Sequence, residues 1–217
     1  MNVLIFTGGS YDQIEFYKEV LKNKDDATII AVDGGGTFLL NIGVMPDYAM
    51  GDFDTISKED LQKFEDAGVP LLRHNPKKNE TDTELAVAWC IEHQALEVTL
   101  LGALGSRFDH SFGNIHLLNV LMKSGIYGEI LDPENRIFLV EESYGLNLEA
   151  GITMSIMAYT DVAEGIVLEG FEYPVDNGKM DHLTPGYGIS NVTLSGFQNI
   201  EVKKGVLIVD IIGRLDD

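Results

Sequence analysis

Gly51-Asp52-Phe53-Asp54 is the sharpest candidate for chemistry in this sequence. In extended backbone, residues i and i+2 point to the same side at about 6.5 Å separation. Asp52 and Asp54 would then face one site while Phe53 packs the other way. Two carboxylates at that spacing repel by roughly 0.6 kcal/mol in water and about 2.6 kcal/mol at an effective dielectric of 20. A hard divalent cation turns the repulsion into attraction, and Mg²⁺ takes such oxygen ligands alongside substrate phosphates. A solvated acidic turn would carry the same residues.

Other polar clusters keep it company. Thr81-Asp82-Thr83-Glu84 opens a helix, where an acidic group complements the macrodipole or joins a metal site. Arg107-Phe108-Asp109-His110 repeats the i, i+2 spacing with opposite charges. A guanidinium there suits phosphate oxygens, and a carboxylate suits metal binding or proton transfer. The plain alternative is an Arg–Asp pair closing a loop, worth about 0–1 kcal/mol if exposed. His110 can bind phosphate or cap the helix that follows, and Lys77-Lys78 can bind phosphate or sit in a solvated loop.

Glycine-rich turns complete the set: Thr7-Gly8-Gly9-Ser10, Asp33-Gly34-Gly35-Gly36, and Gly102 through Gly105. Such turns bring backbone N–H groups close to phosphate oxygens, with helix N-termini behind them, although many are only turns. The sequence has no G-x-x-x-x-G-K-[ST], no G-x-G-x-x-G, no H-E-x-x-H and no G-x-S-x-G. Walker-type, dinucleotide, zinc-peptidase and serine-hydrolase chemistry are thereby disfavoured. Acidic stations and one arginine at one rim of a sheet favour Mg²⁺-dependent phosphoryl chemistry.

The elements that must position these residues alternate. Val3–Thr7, Ala27–Val32 and Glu97–Leu101 read as buried strands. Helical patterns cover roughly Tyr11–Lys22, a stretch from Ser57 with Ser57 as N-cap, a stretch from Thr81, and Ser111–Lys123. Strand–helix alternation predicts a mostly parallel sheet flanked by helices, with ligands beyond the carboxyl ends of its strands. After about Glu142 the pattern becomes strands only: Gly151–Tyr159, Gly165–Tyr173, Ser190–Gly196 and Gly205–Ile212. The expected class is α/β, with residues 1–142 as the α/β domain. A smaller antiparallel, β-sandwich-like domain is expected over 143–217.

Composition narrows the partners. With 35 acidic and 15 basic side chains the net charge is −20, which argues against binding nucleic acid or an anionic membrane. The single cysteine, Cys90, lies in an apolar stretch and permits no intramolecular disulfide. That stretch is too short to span a bilayer, and residues 1–6 lack the basic start of a signal peptide. A cytoplasmic protein is expected. Trp89 reads as core.

Taken together, Asp33-Gly34-Gly35, Pro46-Asp47, Gly51-Asp52-Phe53-Asp54, Thr81-Asp82 and Gly105 through Arg107-x-Asp109-His110 resemble the thiamin pyrophosphokinase family in order and spacing. Gly188-Ile189-Ser190-Asn191 and Lys204-Gly205-Val206-Leu207 resemble its late motifs. The resemblance implies a two-domain homodimer that transfers pyrophosphate from Mg-ATP to the hydroxyethyl group of thiamin, giving thiamin diphosphate and AMP. By position it implies Asp52, Asp54 and Asp82 at the metal, and Asp82, Arg107 and Asp109 in catalysis. Gly8, Gly9, Asp33, Gly34, Gly35, Thr81, Arg107 and His110 would bind ATP, and Ser190 and Asn191 the aminopyrimidine of thiamin. Asn79 stands where relatives often carry Asp, with Glu80 as a substitute. Phe171, Tyr173, Tyr187 and Phe197 are candidates to stack on thiamin. The competing readings are a metal-dependent enzyme on another phosphate ester or nucleotide-sugar, and a non-catalytic nucleotide- or thiamin-binding regulator.

Overall fold

The computed structural model describes residues 1–54, 56–73 and 79–213; His74 and Lys77-Lys78 lie outside the described residues. The chain divides into two compact units, Met1–Pro133 and Glu134–Asp217.

In the first unit, β1 (Asn2–Phe6), α1 (Ile14–Asn23), β2 (Thr28–Val32), α2 (Gly34–Asn41), β3 (Tyr48–Gly51) and α3 (Lys58–Asp66) follow one another. β4 (Leu71–Arg73), α4 (Asp82–Glu92), β5 (Glu97–Leu101), α5 (Phe108–Lys123) and β6 (Tyr127–Leu131) complete it. Its strands lie in the order β6-β5-β1-β2-β3-β4, and every pairing is parallel. The apolar runs read as strands are buried on both faces, as a helix-covered parallel sheet requires. Leu4, Phe6, Ala31 and Leu101 join Tyr17, Phe38, Leu39 and Phe64 from α1–α3 in one core. Val3, Ile5, Val98 and Leu100, alternating with those, are buried on the opposite face.

Two helix starts follow the sequence signals. Ser57 Oγ accepts from the Asp60 N–H at 3.0 Å at the start of α3. Thr81 Oγ1 accepts from the Glu84 N–H at 3.1 Å at the start of α4. Others differ. Gly34-Gly35-Gly36, read as a turn, is the first turn of α2. It is helical because tertiary packing overrides glycine's poor propensity: a β-carbon on Gly35 would collide with the Phe6 carbonyl of β1. α1 starts at Ile14 rather than Tyr11, which turns into the core instead. α5 starts at Phe108, three residues before Ser111. Trp89 is half-buried rather than core, its ring stacked on His93 at 3.9 Å and 4.8 Å from Tyr48.

The second unit is all antiparallel. It comprises β7 (Asn135–Val140), β8 (Ser143–Asn147), β9 (Thr153–Ala158), β10 (Val162–Glu169), β11 (Val175–Asp181), β12 (Asn191–Val192), β13 (Phe197–Glu201) and β14 (Leu207–Ile212). One set runs β12-β9-β14-β7 and the other β11-β10-β13-β8. The unit begins earlier than the change of pattern at Glu142 because Asn135–Val140 pairs along its whole length with β14. Ser190–Gly196 contributes only the two-residue β12. No helix among the described residues is long and apolar enough to cross a membrane.

Candidate active site

In the first unit β1 lies between β2 and β5, so the chain direction across the sheet reverses beside β1. Crevices open beyond the carboxyl ends of strands at such a switch point. A cleft of about 560 Å³ lies there, lined by Thr7–Ser10 after β1, Asp33 and Gly34 after β2, and Gly102–Arg107 after β5. Thr81, Asp82 and Thr83 at the start of α4, and His110 and Asn114 of α5, complete the wall. The glycines are needed for close approach: a β-carbon on Gly9 would collide with the Gly102 carbonyl.

Asp33, Asp52 and Asp82 each offer a carboxylate oxygen within 4.8 Å of the others, and all three are half-buried. Adjacent parallel strands deliver the first two, since Val32 pairs with Met50 and the Asp33 N–H donates to the Met50 carbonyl at 3.2 Å. Asp82 arrives as the first residue of α4. Asp33 has φ 45° and ψ −117°, a conformation costly for a non-glycine residue and one that clusters at functional sites. Its Oδ1 is buried without a hydrogen-bond partner. Burial, reinforced by the charges of Asp82 and Asp52, raises the Asp33 carboxyl to about 7, with the Phe53 N–H opposing the shift. A carboxylate with one buried oxygen lacking a donor, close to two more carboxylates, is costly unless a cation or proton arrives.

The Asp52–Asp54 pair takes a different shape from the extended one expected. Phe53 has φ 58°, and the Asp54 N–H donates to Asp52 Oδ1 at 3.1 Å. Phe53 does pack into the core, with the Arg73 guanidinium 5.2 Å from its ring centre. Asp54 is exposed and outside the three-carboxylate group; chiefly the neighbouring Asp52 charge raises its pKa. The sequence reading placed Asp33 with the nucleotide instead. The missed signal is its position directly after β2, alongside the strand that ends at Gly51.

Arg107 and Asp109 bond each other, Nε to Oδ1 at 3.2 Å and Nη2 to Oδ2 at 2.6 Å. The pair is about two-thirds exposed on both sides, so it adds little to stability. The Asp109 carboxyl is held below its usual range by that guanidinium. Arg107 lines the main cleft, whereas Asp109 lines a smaller one of about 200 Å³ with Thr81, Thr83, Glu84, His110 and Asn114. Asn114, which sequence reasoning missed, is buried and donates from Nδ2 to the Ala103 carbonyl at 2.8 Å. Of the expected nucleotide residues, Gly8, Gly9, Asp33, Gly34, Thr81, Arg107 and His110 line the main cleft. Gly35 instead supports it from behind, against β1. Asn79 and Glu80 are exposed, and Glu80 is outside the acidic group.

Ser190 and Asn191 lie in the second unit. Ser190 is exposed with φ 57°, and its N–H donates to Ser155 Oγ at 3.2 Å. Asn191 is buried: Oδ1 accepts from the N–H groups of Tyr173 and Val192, and Nδ2 donates to the Tyr173 carbonyl at 2.8 Å. Its amide thus fastens the Tyr173 segment. Tyr173, Tyr187 and Phe197 are exposed, while Phe171 is core.

Comparison with known proteins identifies the family. The family model for the thiamin pyrophosphokinase catalytic domain matches residues 17–127. The chain is 32% identical to the thiamine pyrophosphokinase of Bacillus subtilis over 190 residues, covering 85% of this chain and 87% of that one. The crystal structure of the thiamine pyrophosphokinase from Bacillus subtilis superposes with a TM-score of 0.87 at 27% identity, over 99% of this chain and 100% of that one. The structure from Geobacillus thermodenitrificans gives 0.84 at 28%, over 100% and 99%. With half the chain under the family model and most of it aligned to a relative, this chain belongs to the thiamin pyrophosphokinase family of enzymes.

Proposed function

We propose that this enzyme transfers a pyrophosphoryl group from Mg-ATP to the hydroxyethyl oxygen of thiamin, giving thiamin diphosphate and AMP. The observation that carries the reading is the meeting of Asp33, Asp52 and Asp82 beside a glycine-lined cleft. The residues fit Mg²⁺, because the donors are hard carboxylate oxygens in mutual reach and the Asp33 carboxylate has one buried oxygen, Oδ1, without a partner. When bound, the metal would offset charge on the phosphate oxygens. Asp33, Asp52 and Asp82 would hold it, with Asp54 at the rim.

The chain's own part is binding and orientation. The backbone N–H groups of Gly8 and Gly34 present donors to phosphate, and Thr81 and His110 add polar side chains. Arg107 gives up Asp109 for a phosphate oxygen when the nucleotide enters, so Asp109 sets where the guanidinium waits. Ser190 meets the aminopyrimidine, while Asn191 shapes that surface through Tyr173. Thiamin carries a fixed positive charge, which suits a chain of net charge −20. The first unit serves ATP and the second thiamin, in a cytoplasmic homodimer without nucleic-acid or membrane partners.

Incubating the purified protein with Mg-ATP and thiamin, then identifying both products, tests this. AMP with thiamin diphosphate is expected. Free phosphate or a glycoside would assign the site to another phosphate ester or nucleotide-sugar, and binding without turnover would make the protein a regulator.

A further inference from the structure

We propose that Tyr11 is a positioning residue for the nucleotide, locking the two glycine loops of the main cleft to each other and to α2. The inference rests on the reading of that cleft as a nucleotide site.

The loops after β1 and β5 are joined like a short continuation of the sheet. Thr7 N–H donates to the Leu101 carbonyl at 2.9 Å, Gly9 N–H to Gly102 at 3.0 Å, and Ser10 N–H to Leu104 at 3.3 Å. Thr7 Oγ1 also donates to the Gly102 carbonyl. Tyr11 closes this seam. Its hydroxyl donates to the Thr7 carbonyl at 2.6 Å, with the Leu101 carbonyl 3.3 Å away. One phenol therefore touches the last residue of β5 and the first residue of the β1 loop.

The ring serves as well as the hydroxyl. Gly102 has φ +63°, and a β-carbon there would occupy the Tyr11 ring. The ring stacks on Phe38 at 3.8 Å and 6°. Phe38 belongs to α2, the helix whose first residue, Gly34, lines the cleft directly after Asp33. Tyr11 thus ties the β1 loop, the β5 loop and the α2 end to one rigid ring. Burial raises its pKa well above the usual value, so the hydroxyl remains a donor throughout the working range. Phosphate recognition by backbone N–H groups depends on their being aimed before the ligand arrives, and small misplacements are costly.

Tyr11→Phe keeps the ring and removes the hydroxyl. Amide hydrogen exchange of Gly9 and Ser10 is expected to quicken at least about tenfold, with β3 and β4 unchanged. Affinity for Mg-α,β-methylene-ATP, measured by calorimetry, is expected to fall about five- to twentyfold. Tyr11→Leu, which also loses the stack on Phe38, is expected to weaken it further. A purely structural tyrosine would lower the melting temperature and leave the nucleotide affinity of the folded protein unchanged; that result overturns the inference. A loss confined to Tyr11→Leu overturns it too, by assigning the effect to ring packing. Wild-type protein that binds the analogue yet makes no AMP from Mg-ATP and thiamin would sink the proposed function and leave the role of Tyr11 standing.

Discussion

The carboxylate of Asp33 occupies the space that a β-carbon at Gly51 would need. Gly51 has φ +145°, and a methyl group built there would overlap Asp33 Oδ1. The missing side chain at the end of one strand thus makes room for the acid at the end of its neighbour. Gly51→Ala is expected to displace Asp33 and lower turnover at least about 100-fold, near 2.7 kcal/mol in the transition state. Gly68, with φ +74° and open space around it, is the control. Gly68→Ala should cost about 1 kcal/mol of stability and leave kcat unchanged. Steady-state kinetics and denaturant titration of both variants decide.

Asp33 also gives the metal-free protein a pH signature. Its pKa of about 7 lies above the ordinary value near 3.8, raised by burial and by the charges of Asp82, Asp52 and Asp54. Between those two values the folded state binds more protons than the unfolded chain. This group's contribution to stability is therefore complete below about pH 4 and is lost as pH rises toward 7. Asp33→Asn should flatten that fall and raise the melting temperature at pH 8 without metal. Because a metal ligand must shed its proton, Mg²⁺ affinity of the wild type should increase with pH through about 7. Thermal melts at pH 4–8 with EDTA, and Mg²⁺ titrations over pH 6–8, test both halves.

Two helix caps separate stability from function. Ser57 and Thr81 make the same bond, at 3.0 and 3.1 Å, to the third residue of their helices. Replacing either with Ala should cost about 1 kcal/mol. Only Thr81 lines the cleft and precedes Asp82. Thr81→Ala should therefore cut kcat/KM for Mg-ATP about tenfold or more, whereas Ser57→Ala should leave it within twofold.

Arg107 and Asp109 make the opposite case, a pair that matters for orientation and hardly for stability. Asp109→Asn should leave the unfolding free energy within about 1 kcal/mol, because both side chains are largely exposed. Arg107→Lys keeps the charge but loses the planar fork, and should raise KM for Mg-ATP about tenfold. Equal KM in Arg107→Lys and wild type would remove Arg107 from the nucleotide site.

Local signals were enough for part of this protein. The run Glu97–Leu101 is the strand it reads as, and Ser57 and Thr81 cap the helices they announce, because buried runs and capping oxygens act over three or four residues. Two units of different class were legible from the switch between helical and strand-only patterns. The motif order pointed to the family that the comparisons support. Tertiary structure decided the rest. Asp33 meets Asp52 because β2 and β3 are neighbours in register, which no spacing in the chain encodes. Phe53 leaves the extended conformation at φ 58°, so Asp54 folds back onto Asp52 instead of joining Asp33 and Asp82. Gly34–Gly36 form the first turn of α2 in close tertiary contacts, and a β-carbon on Gly35 would collide with the Phe6 carbonyl of β1. Tyr11, read as the start of a helix, became the pin between two loops about ninety residues apart. Sequence records the chemistry each side chain can offer; the pairing of distant strands decides which of those offers meet.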